Sequence, residues 1–342
     1  MTKIALGYKE VSGPWGGGNR FIKALKIELN KFGFEYSNNL KDKDIDIILL
    51  TDPRYSSAFV NFSIGQIILY KIFKNPNVIV IHRVNECDER KKTNFMNLLL
   101  IKANWSADYT VFVGTWLTML SVWKDNIRTP HSVILNGSDK TIFNNLGYKR
   151  WNGKGPLRLV THHWGGNWMK GFDIYSKIDE MLEDKFWKSK ISFTYIGNLP
   201  KGFVFKNVKY IKPLDGLFLS RELKAHHVYL TASINEPGGN HQNEGALCGL
   251  PVLFRDSGCL PEYLEGYGIM FSKQNFVSSL NKMILNYTKY VIKMSEYPHN
   301  SEKCALEYIK LFKHLSNNND FVGMNNRFYK HPLKTIKSLF TI

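Results

Sequence analysis

The sequence predicts an α/β protein of two domains, each a parallel sheet wrapped by helices, on three observations. Short apolar runs bounded by turn residues recur along the chain, and helical patterns separate several of them. A Gly-, Asn- and Lys-rich stretch at 144–156 (NNLGYKRWNGKGP) then interrupts this alternation before it restarts. A chain of 342 residues suits two domains, since single domains run to about 100–200 residues.

In the first half, the runs at 3–6 (KIAL), 45–50 (IDIILL), 78–81 (VIVI), 110–113 (TVFV) and 132–135 (SVIL) read as strands buried on both faces. Residues 20–32 set Phe21, Ala24, Leu25, Ile27 and Leu29 at helical spacing, and 115–123 reads as a second helix. After the linker come strands at 157–161 (LRLVT), 192–196 (SFTYI), 208–211, 228–231 and 251–254 (PVLF). A helix at 301–314 follows, then a polar break at 316–320 and a basic amphipathic end. There Leu333, Ile336, Leu339 and Phe340 share one face while Lys334 and Lys337 point elsewhere. Docking on a domain is the favoured reading of that end, with a membrane-surface anchor as the alternative. The predicted domains are 1–150, 151–315 and a tail at 316–342.

Hydrophobic residues make up 44% and charged residues 22%, ordinary globular usage that excludes a disordered or fibrous chain. Forty-six Lys and Arg against 29 Asp and Glu leave a net charge of +17, which favours an anionic partner such as nucleic acid, anionic lipid or a phosphorylated sugar. Aromatics at 14% would suit stacking on single strands, but no nucleic-acid-binding signature is present, so no specific nucleic acid is expected. The start, MTKIALGYKE, does not read as a signal peptide, so a cytoplasmic protein is expected, with a peripheral position at the inner face of the membrane also open. Cys87, Cys248, Cys259 and Cys304 lie far apart and read as buried thiols.

Two constellations carry chemistry. Gly13-Pro14-Trp15-Gly16-Gly17-Gly18-Asn19 stands between the first strand and its helix, where glycines let backbone amides approach phosphate oxygens. It is neither a dinucleotide fingerprint nor a Walker loop. Glu236-Pro237-Gly238-Gly239-Asn240-His241-Gln242-Asn243-Glu244 sets two carboxylates around a glycine turn, able to accept from sugar and ribose hydroxyls while amides face a diphosphate. Asp42-Lys43-Asp44-Ile45-Asp46 has the look of a metal motif but precedes a strand, at the wrong end of the sheet, so no metal is expected.

The second string resembles the E-x7-E signature of retaining glycosyltransferases of family four, whose fold is GT-B: two Rossmann-like domains facing across a cleft. The following A-L-C-G-L-P-V, the Ser257-Gly258-Cys259-Leu260-Pro261-Glu262 segment, the amino-terminal glycine loop, Val133-Ile134-Leu135-Asn136-Gly137-Ser138 and Lys170-Gly171 extend the likeness over most of residues 1–315. The resemblance implies that Glu236 contacts the donor sugar and that Glu244 binds the ribose. Amides of Gly239, Asn240 and His241, with those of Gly17 and Gly18, would hold the diphosphate, and Lys170 would neutralise it as it leaves. Family members commonly carry an Arg about five residues before this Lys; Trp164 and Gly165 stand in that stretch here, leaving His162 or His163 as substitutes.

His82 matches the family histidine that reaches the reacting centre. The charged loop that begins with Arg83, Asn85 and Glu86 reads as acceptor-facing, and Glu86, Asp88 and Glu89 are the candidates should a base be needed. The implied activity is metal-independent, retaining transfer from a nucleotide-diphosphate sugar to an anionic glycan or lipid-linked oligosaccharide, as in surface polysaccharide biosynthesis. No cofactor beyond that donor is expected. Another GT-B activity, such as a nucleotide-sugar epimerase or a phosphorylase, and a non-catalytic sugar- or nucleic-acid-binding module are the alternatives. Peripheral membrane contact through the helix at 96–105 and the tail is also open.

Overall fold

Six short parallel strands form each of two sheets in the computed structural model of the protein, which describes residues 2–11, 17–54, 57–124, 127, 129–317 and 326–339. The chain divides into two units, Met1–Leu135 with Glu302–Ile342, and Asn136–Ser301.

The strands of the first unit are β1 (Lys3–Leu6), β2 (Glu35–Ser37), β3 (Ile47–Leu50), β4 (Ile79–Val84), β5 (Tyr109–Phe112) and β6 (His131–Val133), in sheet order β2-β1-β3-β4-β5-β6. β3 shows why its apolar run needs no alternation. Ile47 and Leu49 pack with residues of the helices Gly17–Lys31 and Ser301–Ser316, while Ile48 and Leu50 pack on the other face with the helix Ile64–Phe73. All four are buried, and each such side chain contributes roughly 1.5–3 kcal/mol to folding.

In the second unit the strands are β7 (Leu157–His163), β8 (Ile191–Gly197), β9 (Lys209–Ile211), β10 (Val228–Thr231), β11 (Val252–Arg255) and β12 (Gly268–Phe271), in the order β12-β11-β10-β7-β8-β9. The chain runs outward from β7 to β9, then returns to place β10 on the free side of β7. Loops leaving the carboxyl ends of β7 and β10 therefore diverge and leave a crevice, the place where open α/β sheets bind ligands.

Two short edge strands, 35–37 and 268–271, were not apparent from the sequence, and β4 and β7 run three and two residues past their predicted ends. Residues 136–150, expected in the first domain, lie with the second unit. Tyr148 Oη there sits 2.8 Å from Tyr287 Oη and donates to the His227 carbonyl at 3.1 Å. Residues 302–315, expected in the second domain, lie with the first, because Cys304, Ala305, Tyr308, Ile309, Phe312 and Leu315 bury against Phe21 and its neighbours. The tail docks on that same unit: Arg327 donates to Asp108 at 2.9 Å and to the carbonyls of Ala107 and Ser106 at 2.8 and 3.0 Å, and Leu339 packs on Gly65. Phe328 is buried in the core of that unit, whereas in the helix Pro332–Leu339 the buried positions are Thr335 and Ser338, so Leu333 and Ile336, expected on the docking face, point outward, and Phe340 lies outside the described residues. No helix among the described residues is long and apolar enough to cross a membrane.

Candidate functional site

The reversal between β7 and β10 brings two loops together. After β7, Asn167 caps a turn at Trp168–Lys170 by accepting from the Met169 amide at 2.8 Å. The chain then passes Gly171 at φ +101° into the helix Phe172–Met181. Only glycine fits at this position, since a Cβ would stand 2.4 Å from that of Ala232. After β10, the Ile234 amide donates to the Met169 carbonyl at 2.8 Å, tying the loops by their backbones. Lys170 Nζ thereby reaches Glu236 Oε2 at 2.6 Å, with the carboxylate side chain 2% exposed and the ammonium 13%.

Glu236 is held from behind by the Ser257-Gly258-Cys259 segment. The amide of Cys259 donates to the Glu236 carbonyl at 2.8 Å, and the Asn235 amide donates to Ser257 Oγ at 2.9 Å. Gly258 lies against the Glu236 backbone so closely that a Cβ would fall 2.4 Å from its carbonyl oxygen. Asn235 itself takes φ +53°, a left-handed conformation that costs a non-glycine residue energy and is characteristic of functional loops.

Asn136 and Ser138 brace the glycine turn. Asn136 Nδ2 donates to the Gly238 carbonyl at 2.6 Å, and Ser138 Oγ to the Asn240 carbonyl at 3.2 Å. A Cβ on Gly239 would sit 2.7 Å from His241 Nδ1 and 3.1 Å from Glu236 Cδ, so this turn passes directly beside both side chains. His241 is fixed through Nε2, 2.8 Å from Thr231 Oγ1. Glu244, one turn into the helix His241–Leu247, is buried with Oε2 2.7 Å from His162 Nε2, and Tyr229 Oη lies 3.1 Å from the other nitrogen of that ring.

Lys170, Glu236, Gly239, Asn240, His241 and Glu244 are thus gathered at one sheet end. The sequence did not disclose His162 as the partner of Glu244; its place near the end of β7, the strand beside β10, was the available signal. The histidines named as substitutes for the absent Arg are engaged elsewhere. His162 takes Glu244, and His163 turns inward with Nε2 2.8 Å from Tyr175 Oη. The nearby Arg255 is committed to Asp173, one of its bonds being 3.1 Å.

In the first unit, His82 lies inside β4 rather than beyond its end, opposite Leu50 and Thr110, and is fully buried. Asn104 Nδ2 stands 3.3 Å from its Nδ1 and donates to Thr110 Oγ1 at 2.7 Å. The amide donates, so the ring proton sits on Nε2, which has no hydrogen-bond partner among the described residues. Burial pushes the imidazole down to about 3, so it is neutral at neutral pH.

Arg83 is also a strand residue, not part of the loop. It is buried, with its guanidinium carbon 4.3 Å from the Phe21 ring centroid, and does not face outward as expected of an acceptor contact. Asn85 and Glu86 do leave the strand, and Glu86 pairs with Arg90 at 2.9 Å and Lys91 at 3.3 Å. Asp88 serves the helix Met96–Asn104, accepting from the amides of Met96 and Asn97 at 2.9 and 3.0 Å. Those bonds occupy both its oxygens, leaving it a cap rather than a candidate base.

Of the glycine loop, residues 13–16 lie outside the described residues. Gly17 opens the helix Gly17–Lys31, Gly18 packs on the Tyr8 ring, and Asn19 Oδ1 accepts from the Val11 amide at 3.1 Å, closing the loop at its base. The aspartates at 42 and 44 pair with Lys3 Nζ at 2.8 and 3.2 Å, and Asp46 accepts from the Lys3 amide at 2.8 Å, a turn that fastens the amino ends of β1 and β3.

The sequence matches no protein-family model and no curated protein. Solved structures do match. A sucrose-phosphate synthase from Thermosynechococcus elongatus superposes with a TM-score of 0.64 at 13% identity, over 92% of this chain and 99% of that one. HepE of Anabaena, solved in complex with UDP and glucose, gives 0.62 at 13% over 92% and 100%. A glycosyltransferase from Rickettsia africae gives 0.60 at 13% over 93% and 99%. The chain therefore has the GT-B fold, with two six-stranded parallel sheets wrapped by helices and these matches covering most of its length.

Proposed function

We propose that this GT-B chain is a glycosyltransferase that takes a nucleotide-diphosphate sugar in the unit Asn136–Ser301 and transfers the sugar with retention of anomeric configuration. The observation that carries this reading is the Lys170–Glu236 pair, 2.6 Å apart at the reversal between β7 and β10, with Glu244 fixed alongside by His162. A buried carboxylate is tolerated there because a cation compensates it. A bound donor would exchange that contact for two others, ammonium to diphosphate and carboxylate to sugar hydroxyls. Both partners are then in place when charge develops: Lys170 on the departing diphosphate, Glu236 near an anomeric carbon gaining oxocarbenium character. The amides of the turn at 239–241 would share the phosphate charge, and Glu244 would accept from the ribose.

UDP and glucose in the HepE structure support a nucleotide sugar as donor. Retention, metal independence, an acceptor held by the first unit, and a glycan or lipid-linked oligosaccharide as that acceptor belong to the same proposal. The net charge of +17 supports an anionic acceptor.

The test is a thermal-shift and calorimetric screen with EDTA present against UDP-, GDP-, ADP- and CMP-sugars, since a ligand of the native state raises its apparent stability. One donor should bind selectively and lose affinity in Glu244→Ala, and the anomeric configuration of the transferred sugar should match the donor's. Absence of binding to every donor, or inversion in the product, overturns the corresponding part of the proposal.

A further inference from the structure

At the opposite end of the second sheet from Lys170 and Glu236 lies a cavity of about 560 Å³ with four cations in its wall. Lys149 comes from the segment before β7, Arg158 from the start of β7, and Arg221 and Lys224 from the helix Gly216–Lys224. No carboxylate lines it, and Leu146 and Leu217 add an apolar part. Two of the cations are anchored on backbone carbonyls rather than on acids: Arg158 Nε donates to Ala225 at 2.8 Å and Lys224 Nζ to Leu146 at 3.1 Å. Among the described residues none of the four is in an ion pair. The nearest acid on the helix, Glu222, is drawn to Lys209 at 3.3 Å.

The carboxyl end of a helix attracts cations, and that accounts for Arg221 and Lys224. It does not account for Arg158 and Lys149, which other elements deliver to the same cavity. Four like charges around one concavity repel each other and concentrate positive potential, an arrangement stabilised by an anion. Ligand cavities commonly measure about 300–1,000 Å³, so there is room for more than a bare ion. Arginine favours phosphate through paired N–H donors.

We propose that this cavity is a second anion site, separate from the donor site, which binds a small phosphate ester with its phosphate among the four cations and its organic body on Leu146 and Leu217. The site belongs to the second unit alone, and its existence does not depend on the transfer reaction.

The full-length protein is titrated calorimetrically at low salt with glucose 6-phosphate, inorganic phosphate and inorganic pyrophosphate. The same titrations are made on the double variant Lys149→Gln/Arg221→Gln and on Lys170→Ala. The side chains of Lys149 and Arg221 make no hydrogen bond or ion pair among the described residues, so the double variant should keep the melting temperature of the parent. Saturable binding should weaken tenfold or more in the double variant and stay within twofold in Lys170→Ala. Tighter binding of glucose 6-phosphate than of inorganic phosphate supports the role of the two leucines, and equal binding removes that part of the proposal. No saturable binding of any probe, or binding abolished by Lys170→Ala and kept by the double variant, overturns the site.

Discussion

Lys170 and Glu236 neutralise each other, so removing either takes that compensation from the other. Lys170→Ala should lower kcat about 10²–10³-fold, the usual effect of deleting one preorganised electrostatic contact, with a lowered melting temperature as well, because the buried Glu236 carboxylate loses its compensating cation. A steady-state assay with the donor found by screening checks this, and unaltered turnover would remove Lys170 from the chemistry. Glu244→Gln should act mainly on the donor KM, since its place is beside the nucleotide rather than the leaving group. His82 makes a pH prediction. Its folded value of about 3 lies below the ordinary histidine value, so between roughly pH 6.5 and 3 the unfolded chain binds a proton that the folded chain refuses. Stability therefore falls as the pH is lowered through that window, by about 3 kcal/mol from this group at pH 4. In His82→Gln the acid limb of denaturant-derived stability against pH should be shallower. The carboxylates at 236 and 244 were legible in the sequence because their spacing is rigid. The setting of His82 was not, because its run reads as a strand of four residues and the structure extends it to Val84.

Helix Met96–Asn104 has no side-chain bond from its own N-cap residue, Phe95. Its free amides are satisfied instead by Asp88, which also accepts from Thr93 Oγ1 at 2.5 Å. Asp88→Ala should thus cost about 1 kcal/mol or more, as loss of a capping carboxylate does, measured by urea denaturation at neutral pH. Hydrogen bonds hold this carboxyl below its usual range against a smaller opposing burial effect than their sum. Its contribution is accordingly complete above the ordinary carboxylate value and lost as pH falls through the lowered one. The two strands absent from the sequence reading illustrate the limits of periodicity. Glu35–Ser37 and Gly268–Phe271 lie at sheet edges and are only part buried; the first has no apolar run, and the second has one of only three residues behind a glycine, shorter than that of β3.

On the scale of the whole chain, Asp108 joins the carboxyl-terminal tail to the first sheet. It is wholly buried, pairs with Lys71, accepts from the Val80 amide at 2.8 Å and receives Arg327 from more than two hundred residues away. Arg327→Ala should cost about 3 kcal/mol, because one partner of a buried ionic cluster is removed while the others stay. Chemical denaturation measures it, and Arg327→Lys should not restore it, since a lysine lacks the fork that serves Asp108 and two carbonyls at once. Similarly, residues 1–135 expressed alone should show no cooperative melt. They lack the helix Ser301–Ser316, whose buried face closes their sheet. An amphipathic pattern tells that a helix is half buried but not which sheet it covers, which is why the return of the chain at 301–302 was not visible in the sequence. That return also has a consequence for proteolysis. The second unit is inserted in the first and joined to it at two points, so one nick at either joint leaves it covalently attached to one segment of the first, and only cuts at both joints can free it as a separate fragment.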